Sequence, residues 1–197
     1  MIIGVDLDGC TGDYVGALRK FVSDNLGIPE EDRLTTFPVP SDYNFTNWPH
    51  VSTEFVKYHS EAVAMGLYRD MDVMPGASDT LWKLNNEGHH LRVITSRFVQ
   101  HGQNFRVVSS TGEWLDKHDL PYRDIMFVRD KVDVFADVYI DDSPDNILNF
   151  QKAGRRVIIF DAPYNQGMVG LRAYNWDDVY YYLSELNVET NKWFPTV

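Results

Sequence analysis

The chain has 197 residues, of which 44% are hydrophobic and 14% aromatic, and its formal net charge is −11 at pH 7. This hydrophobic content can bury a core, which excludes a disordered chain, and the length suits one compact domain with room for a small insertion. The negative charge argues against long nucleic acid or an anionic membrane as a partner, whereas a small phosphorylated ligand can still bind where a metal ion and a few cations reverse the local field.

The cysteine count and the first residues of the chain bear on its compartment. The single cysteine, Cys10, excludes an internal disulfide and a Cys-rich zinc site. No apolar stretch approaches the length of a membrane-spanning helix, and the start of the chain lacks the basic and apolar regions of a signal peptide. We therefore expect a soluble, cytoplasmic protein.

Short apolar runs that end in polar residues predict five buried β-strands, over residues 2–6, 91–94, 125–128, 138–140 and 157–160. Periodic apolar positions, several of them bounded by Gly or Pro, predict helices over residues 77–87, 104–118, 145–153 and 176–186. This alternation predicts an α/β fold with right-handed crossovers and a mainly parallel sheet. In such sheets ligands bind beyond the carboxyl ends of the strands.

Residues 14–74 do not fit the alternation, because they are too long for an ordinary connection between a strand and a helix. Helices are predicted over residues 14–25 and 52–66, separated by a polar, aromatic and proline-containing stretch over residues 35–50. We interpret residues 14–74 as a small helical cap inserted after the first strand, and we name them the cap segment. Residues 1–13 and 75–197 then form the core domain.

Two carboxylates follow the first strand in the motif Asp6-Leu7-Asp8-Gly9. If the strand geometry persists, both side chains point to the same side, so that one can act as a nucleophile and metal ligand while the other transfers a proton. The titrations of two such carboxyl groups are coupled, and a neighbouring metal ion moves their pKa values apart. Gly9 permits a sharp turn beneath a bound phosphate. On this motif alone, a simple Asp-Gly turn is an equally good interpretation.

Polar residues also follow the later strands. Thr95 and Ser96 offer donors to phosphate oxygens, although such residues more often cap a helix. Lys131 is suited to neutralise a nucleophile and phosphoryl oxygens. The adjacent Asp141 and Asp142 are costly to hold together unless a cation lies between them. Because phosphoryl transfer needs mainly positioning and charge neutralisation, the combination predicts a phosphoryl-transfer site that uses Mg²⁺.

Four motifs resemble those of the haloacid dehalogenase-like superfamily: Asp6-Leu7-Asp8-Gly9, Ile94-Thr95-Ser96, Lys131 and Ile140-Asp141-Asp142. Within it the chain resembles the 5'(3')-deoxyribonucleotidases, which act on pyrimidine deoxyribonucleoside monophosphates. More specific matches are Asp13-Tyr14, Met74-Pro75-Gly76-Ala77, Val128-Arg129-Asp130-Lys131 and Ala162-Pro163-Tyr164-Asn165. The resemblance covers most of the core and implies a Rossmann-like three-layer α/β/α architecture with a small inserted helical cap.

The resemblance also implies roles for the motif residues. Asp6 is the nucleophile, and Asp8 is the general acid/base whose backbone carbonyl also binds magnesium. The resemblance favours Asp142 over Asp141 as the direct metal ligand beside Asp6, with Asp141 supporting Lys131 and the metal shell, and the split between these two aspartates stays open. The residues implied to hold the phosphate are Thr95, Ser96 and Lys131.

For the base and sugar, the resemblance points to Tyr14 and to two aromatic residues of the cap segment, Phe45 and Trp48. Core packing is an equally good interpretation of Phe45 and Trp48, because aromatic side chains usually pack. The chain departs from the family pattern at residues 10–12 and at Arg97, which stands where the family often has proline. Base preference and sugar discrimination therefore remain open, as does the choice between a 5'- and a 3'-phosphate.

The leading hypothesis is a Mg²⁺-dependent phosphomonoesterase that releases phosphate from (deoxy)ribonucleoside monophosphates through an aspartyl-phosphate on Asp6. One alternative is a phosphatase of the same superfamily for a sugar phosphate or a polynucleotide 3'-phosphate, although the acidic charge opposes a polynucleotide. Another is a catalytically silent nucleotide-binding module, which would have no need of Asp8. The expected partner is a small nucleotide, and a homodimer is left open.

Overall fold

A computed structural model describes residues 1–97 and 104–188, and its centre is one β-sheet. The strands within these residues are β1 (Ile2–Val5), β2 (His90–Thr95), β3 (Asp124–Phe127), β4 (Val138–Asp141), β5 (Val157–Phe160) and β6 (Leu171–Ala173). Their order is β3-β2-β1-β4-β5-β6, and every neighbouring pair is parallel. The parallel sheet is confirmed. The sequence did not predict β6, because three residues are too few to show a strand pattern.

Helices connect and cover the strands. They are α1 (Tyr14–Leu26), α2 (Arg33–Thr36), α3 (Val51–Ala64), α4 (Leu67–Asp70), α5 (Ala77–Asn86), α6 (Asn104–Lys117), α7 (Pro144–Lys152) and α8 (Trp176–Val188). Each predicted helix is present with closely similar ends. The short helices α2 and α4 were not predicted, since a single turn leaves no periodic apolar pattern. Within the described residues no helix is both long and apolar enough to cross a lipid bilayer.

The sheet is covered on both faces. Helices α5, α6 and α8 pack on one face through residues such as Leu81, Trp114 and Val179. Helix α7 packs on the other face through Ile147 and Phe150. These two buried clusters confirm the three-layer α/β/α core.

The carboxyl edge of the sheet has a crevice between β1 and β4. The chain leaves β1 towards β2 and β3 on one side, and leaves β4 towards β5 and β6 on the other. Such a reversal of strand order opens a ligand crevice in an open α/β sheet. The register pairs Val5 with Ile140, and the Asp6 backbone N–H donates to the Ile140 carbonyl at 3.1 Å. Asp6 and the residues after Ile140 are therefore neighbours at this crevice.

The cap segment lies between β1 and α5 and includes α1 to α4. It has a buried cluster of its own, to which Leu18, Phe37 and Trp48 belong. Val107 of α6 is part of the same cluster, so this cluster joins the cap segment to the core. The division into two domains stays a prediction.

Candidate active site

A cavity of about 270 Å³ lies at the carboxyl edge of the sheet, beneath the cap segment. Its floor is polar, and its upper wall is mainly aromatic. The floor includes Asp6, Asp8, Thr95, Ser96, Arg97, Lys131 and Asp142, and the wall from the cap segment includes Tyr14, Tyr43, Phe45, Phe55, His59 and Tyr68. A polar floor with an aromatic roof suits a ligand that has a charged group at one end and a planar apolar group at the other.

Lys131 lies between two buried carboxylates on the floor. Its Nζ is 2.6 Å from Asp6 Oδ1 and 2.8 Å from Asp141 Oδ2. Burial alone would lower the pKa of Lys131, but the charges of Asp141 and Asp6 outweigh it and raise the pKa, so the ammonium stays charged. Burial raises the pKa of Asp6 well above its ordinary value, and Lys131 opposes this rise. The pair places a buried carboxylate beside a fixed cation.

The two aspartates at the end of β4 have different surroundings. Asp141 accepts hydrogen bonds from the Ser143 backbone N–H at 3.0 Å and from Asn146 Nδ2 at 3.1 and 3.2 Å, besides its contact with Lys131. Asp142 accepts a hydrogen bond from the Tyr164 hydroxyl. Burial, together with the charge of Asp141, raises the pKa of Asp142 to about 7.

The acidic groups near Asp142 fit a divalent cation. Ligand atoms of Asp6, Cys10 and Asp142 all lie within 4.8 Å of one another. Burial raises the pKa of the Cys10 thiol, which therefore stays protonated and is a poor metal ligand. Two buried carboxylates with raised pKa values are the arrangement that a hard cation such as Mg²⁺ would stabilise.

Thr95, the last residue of β2, and Ser96, which follows it, lie on the same floor. The Thr95 Oγ1 is buried and has no hydrogen-bond partner among the described residues. A buried hydroxyl without a partner is uncommon, and a phosphate oxygen in the cavity would satisfy it. The Ser96 hydroxyl donates to the Arg129 carbonyl at 3.4 Å, which is a long contact.

The turn after β1 depends on Gly9. Its φ of +85° belongs to the left-handed region that favours glycine. A Cβ at this position would overlap with the Asp142 carboxylate and would come within 2.9 Å of the Tyr164 hydroxyl. Glycine therefore allows the first motif to lie directly against the end of β4.

Asp8 has a partner that the sequence did not predict. Arg97 Nε donates to Asp8 Oδ2 at 3.0 Å, and Arg97 Nη2 donates to Asp8 Oδ1 at 2.6 Å. The sequence marked Arg97 only as a departure from the family pattern. The bond joins residues that are 89 positions apart, so no local signal could have revealed it.

The structure places the three predicted base-binding residues differently. Tyr14 and Phe45 line the cavity, whereas Trp48 does not. Trp48 is 0% exposed. Its ring centroid lies 4.8 Å from that of Phe45 and 5.3 Å from that of Phe37. Its Nε1 donates to the Pro38 carbonyl at 2.7 Å. Trp48 therefore lies behind Phe45, away from the cavity lining, and this position fits core packing, the other interpretation of Trp48.

Replacing Trp48 with alanine should destabilise the protein without removing a ligand contact. We expect the free energy of unfolding to fall by about 3–5 kcal/mol, because a fully buried indole leaves a cavity. Urea unfolding followed by circular dichroism measures this. Trp82→Ala is the control, because Trp82 is only partly buried and its Nε1 bond to the Asp119 carbonyl is exposed. Equal losses in the two variants would contradict the packing role.

His59 is a cavity residue that sequence reasoning missed. Its ring stacks on that of Phe55, with 5.7 Å between the ring centroids and 20° between the ring planes. Its Nδ1 is 2.8 Å from the Tyr14 hydroxyl, and its Nε2 is 3.5 Å from the Tyr68 hydroxyl. Burial lowers the pKa of His59, which favours the neutral ring. The spacing of four residues between Phe55 and His59 puts both on one face of α3, and this was the one sequence signal available.

Comparison with solved structures identifies the fold. A haloacid dehalogenase-like family hydrolase from Streptococcus pneumoniae aligns with a TM-score of 0.60 and 15% identity, covering 92% of this chain and 97% of that chain. A "predicted phosphatase" from Clostridium acetobutylicum aligns with a TM-score of 0.63 and 16% identity, covering 94% and 98%. At these identities the likeness shows the fold alone. It is the fold of the haloacid dehalogenase-like hydrolases.

Sequence comparison identifies the family. The chain belongs to the 5' nucleotidase, deoxy (pyrimidine), cytosolic type C family, whose model matches residues 1–188. A Chlorobaculum tepidum protein named "Putative 5'(3')-deoxyribonucleotidase" is 35% identical over 182 residues, covering 91% of this chain and 88% of that protein. A 5'(3')-deoxyribonucleotidase from Clostridium acetobutylicum is 30% identical over 102 residues, covering 50% and 51%. The chain is therefore an enzyme of the phosphoric monoester hydrolase class.

Proposed function

We propose that the protein is a Mg²⁺-dependent nucleotidase that hydrolyses (deoxy)ribonucleoside monophosphates through an aspartyl-phosphate on Asp6. The observation that carries this proposal is the contact of the buried Asp6 carboxylate with the Lys131 ammonium, on the floor of a cavity with an aromatic roof. The family supports the same substrate class. The phosphate would lie on the floor, and the nucleoside would extend towards the cap segment.

In the proposed mechanism, the Asp6 carboxylate attacks phosphorus as the bond from phosphorus to the nucleoside oxygen breaks. Asp8 donates a proton to the departing oxygen. Asp8 then takes a proton from the water that attacks the aspartyl-phosphate, which releases phosphate and restores Asp6. Lys131 neutralises charge on Asp6 and on the equatorial phosphoryl oxygens, and Thr95 and Ser96 donate hydrogen bonds to the phosphate.

Asp6, Asp142 and the Asp8 backbone carbonyl would hold Mg²⁺, with Asp141 supporting Lys131. When bound, the ion would supply positive charge at the transferring phosphoryl group. The proposal includes a cap domain over residues 14–74 that covers the nucleoside and excludes bulk water. It also includes a cytoplasmic location and leaves a homodimer open.

Mg²⁺ should stabilise the metal-free protein more at pH 8 than at pH 5. The folded-state pKa of Asp142 is raised to about 7, above the unfolded value, so its contribution to stability is present at low pH and lost as the pH rises through 7. At pH 8 the carboxylate is ionised and free to bind the cation, whereas at pH 5 a proton competes. Thermal unfolding of the chelated protein, with and without added MgCl₂, measures the rise in Tm that Mg²⁺ causes. A stabilisation of about 1 kcal/mol raises the Tm of a chain of this length by about 2–4 °C.

The test variant for the metal experiment is Asp142→Asn, which should lose most of the Mg²⁺-dependent rise in unfolding temperature at pH 8. The matched control is Asp161→Asn. It removes a carboxylate paired with Arg172 at 2.7 Å outside the cavity, and it should keep this rise. An equal Mg²⁺ effect at the two pH values in the unmodified protein would contradict the assignment of the cation to these carboxylates.

A panel of phosphomonoesters tests the proposed function directly. The panel contains 5'- and 3'-deoxyribonucleoside monophosphates, ribonucleoside monophosphates, sugar phosphates, a 3'-phosphorylated oligonucleotide and 4-nitrophenyl phosphate, each assayed with MgCl₂ and with a chelator. We expect the highest kcat/KM for nucleoside monophosphates, loss of activity with the chelator, and a lower KM for nucleotides than for 4-nitrophenyl phosphate. Preference for the oligonucleotide or a sugar phosphate would overturn the substrate class, and equal KM values would contradict a cap that contacts the nucleoside.

A further inference from the structure

Arg97 is a charged residue in the cavity floor to which the proposed mechanism gives no role. Its side chain is 0% exposed, whereas that of its partner Asp8 is 26% exposed. Two of its nitrogens grip both oxygens of the Asp8 carboxylate. Bidentate pairs of this kind fix the plane of the carboxylate as well as its position.

The remaining nitrogen of the guanidinium is also engaged. Arg97 Nη1 donates to Thr111 Oγ1 at 3.0 Å, and Nη2 also contacts Met71 Sδ at 3.8 Å. All three guanidinium nitrogens therefore have partners within the protein. Among the described residues these contacts use four of the five guanidinium N–H donors and leave one on Nη1. A bidentate phosphate contact would therefore require breaking at least one of these bonds, so the geometry favours an action of Arg97 through Asp8.

The guanidinium is itself held from two sides. The Tyr68 ring of α4 lies 4.2 Å from Arg97 Cζ, and the Trp114 ring of α6 lies at 5.8 Å. Thr111 is fixed in turn, because its hydroxyl donates to the Val107 carbonyl at 2.7 Å. These contacts use both the cap segment and the core, and they leave the guanidinium little freedom to move.

We propose that Arg97 is the positioning residue of Asp8: it fixes the Asp8 carboxyl group so that its free edge faces the leaving oxygen of the substrate. The inference rests on the proposed role of Asp8 as general acid/base. A carboxylate has about four lone-pair sites, and Arg97 occupies two of them, so acceptor sites remain for the reaction. When Asp8 carries the proton, one oxygen becomes the donor to the leaving group while the other still accepts from Arg97.

The chemistry of the leaving group provides a test. A nucleoside leaves as an alkoxide and needs a proton at the moment of bond cleavage, whereas 4-nitrophenolate is a stable anion and needs little help. A displaced Asp8 should therefore impair cleavage of a nucleotide much more than cleavage of 4-nitrophenyl phosphate. The quantity to compare is kcat/KM, because it covers the steps up to departure of the leaving group and not the later hydrolysis of the phospho-enzyme.

The decisive variant is Arg97→Lys, which keeps the charge and loses the bidentate fork. We expect kcat/KM for thymidine 5'-monophosphate to fall about 10- to 100-fold, since general acid catalysis contributes about 10²–10⁴-fold and depends on geometry. The value for 4-nitrophenyl phosphate should fall less than about threefold, because little of that reaction depends on the acid. The ratio of the two values does not depend on the fraction of folded enzyme, since misfolding lowers both alike.

Arg92→Lys is a matched control. Arg92 lies in β2, outside the cavity. Its Nε donates to Asp124 Oδ1 at 2.7 Å and its Nη2 donates to Asp124 Oδ2 at 2.8 Å, so the same two nitrogens bind a carboxylate as in Arg97. This variant should leave the ratio unchanged. Thr111→Val is a milder second variant, because it removes the partner of Arg97 Nη1 and keeps the shape of the side chain. It should change the ratio in the same direction as Arg97→Lys, by a smaller factor.

Asp8→Asn separates failure of this inference from failure of the proposed function. If Asp8 is the general acid, Asp8→Asn lowers kcat/KM for thymidine 5'-monophosphate more than kcat/KM for 4-nitrophenyl phosphate. With that result in hand, an equal fall of both substrates in Arg97→Lys, or no fall in either, would overturn the positioning role. If Asp8→Asn itself affects both substrates equally, the proposed role of Asp8 fails and the inference fails with it.

Discussion

The Asp6→Asn variant should lose turnover by at least about 10⁴-fold, since it removes the nucleophile on which covalent catalysis depends. Asparagine has almost the shape of aspartate, and Lys131 keeps its contact with Asp141 at 2.8 Å, so the fold should persist. The measurement uses a nucleotide labelled with ³²P in its phosphate, followed by an acid quench and recovery of the protein. Label should be bound covalently to the unmodified enzyme and absent from the variant.

Asp124→Asn is the control for the nucleophile experiment. It alters an aspartate of β3 that pairs with Arg92 at 2.7 Å, outside the cavity, and it should keep both turnover and labelling. Circular dichroism should give similar spectra for all three proteins. Turnover of the Asp6→Asn protein at the normal rate, or label on that protein, would refute the assignment of Asp6.

Replacing Lys131 with methionine should weaken both the fold and the activity. The substitution leaves the Asp6 and Asp141 carboxylates buried without the cation that joins them, and loss of one partner of a buried ion pair costs about 3–5 kcal/mol. It also removes a charge that would stabilise the transferring phosphoryl group, which should lower kcat about 10²–10³-fold. Urea unfolding and steady-state kinetics at saturating Mg²⁺ measure the two effects.

A second substitution separates the two roles of Lys131. Adding Asp141→Asn to Lys131→Met removes one of the uncompensated charges, so stability should recover in part. Activity should not recover, because the cation beside Asp6 is still missing. Lys152→Met changes an exposed lysine of α7 and should affect neither quantity. Normal kcat in a folded Lys131→Met protein would show that Lys131 has no part in catalysis.

Much of the fold could be predicted from local patterns. Apolar runs such as residues 157–160 become strands because both faces of the sheet are covered, and Gly or Pro marks the ends of several helices. The carboxyl ends of parallel strands meet at one edge, so the motifs after β1, β2, β3 and β4 were expected to lie close together. The gathering of Asp6, Thr95, Lys131 and Asp142 around one cavity follows from that rule.

The sequence by itself determined the α/β class, the parallel sheet and the polar edge at which the site forms, because these follow from short-range periodicity. Only the tertiary structure decided which way individual side chains face: Trp48 points into its own cluster, His59 lines the cavity, and Arg97 binds Asp8. Those outcomes depend on packing between segments that are distant along the chain. Residue type limits the partners that a side chain can accept, but the meeting of helices and loops selects the partner that it has.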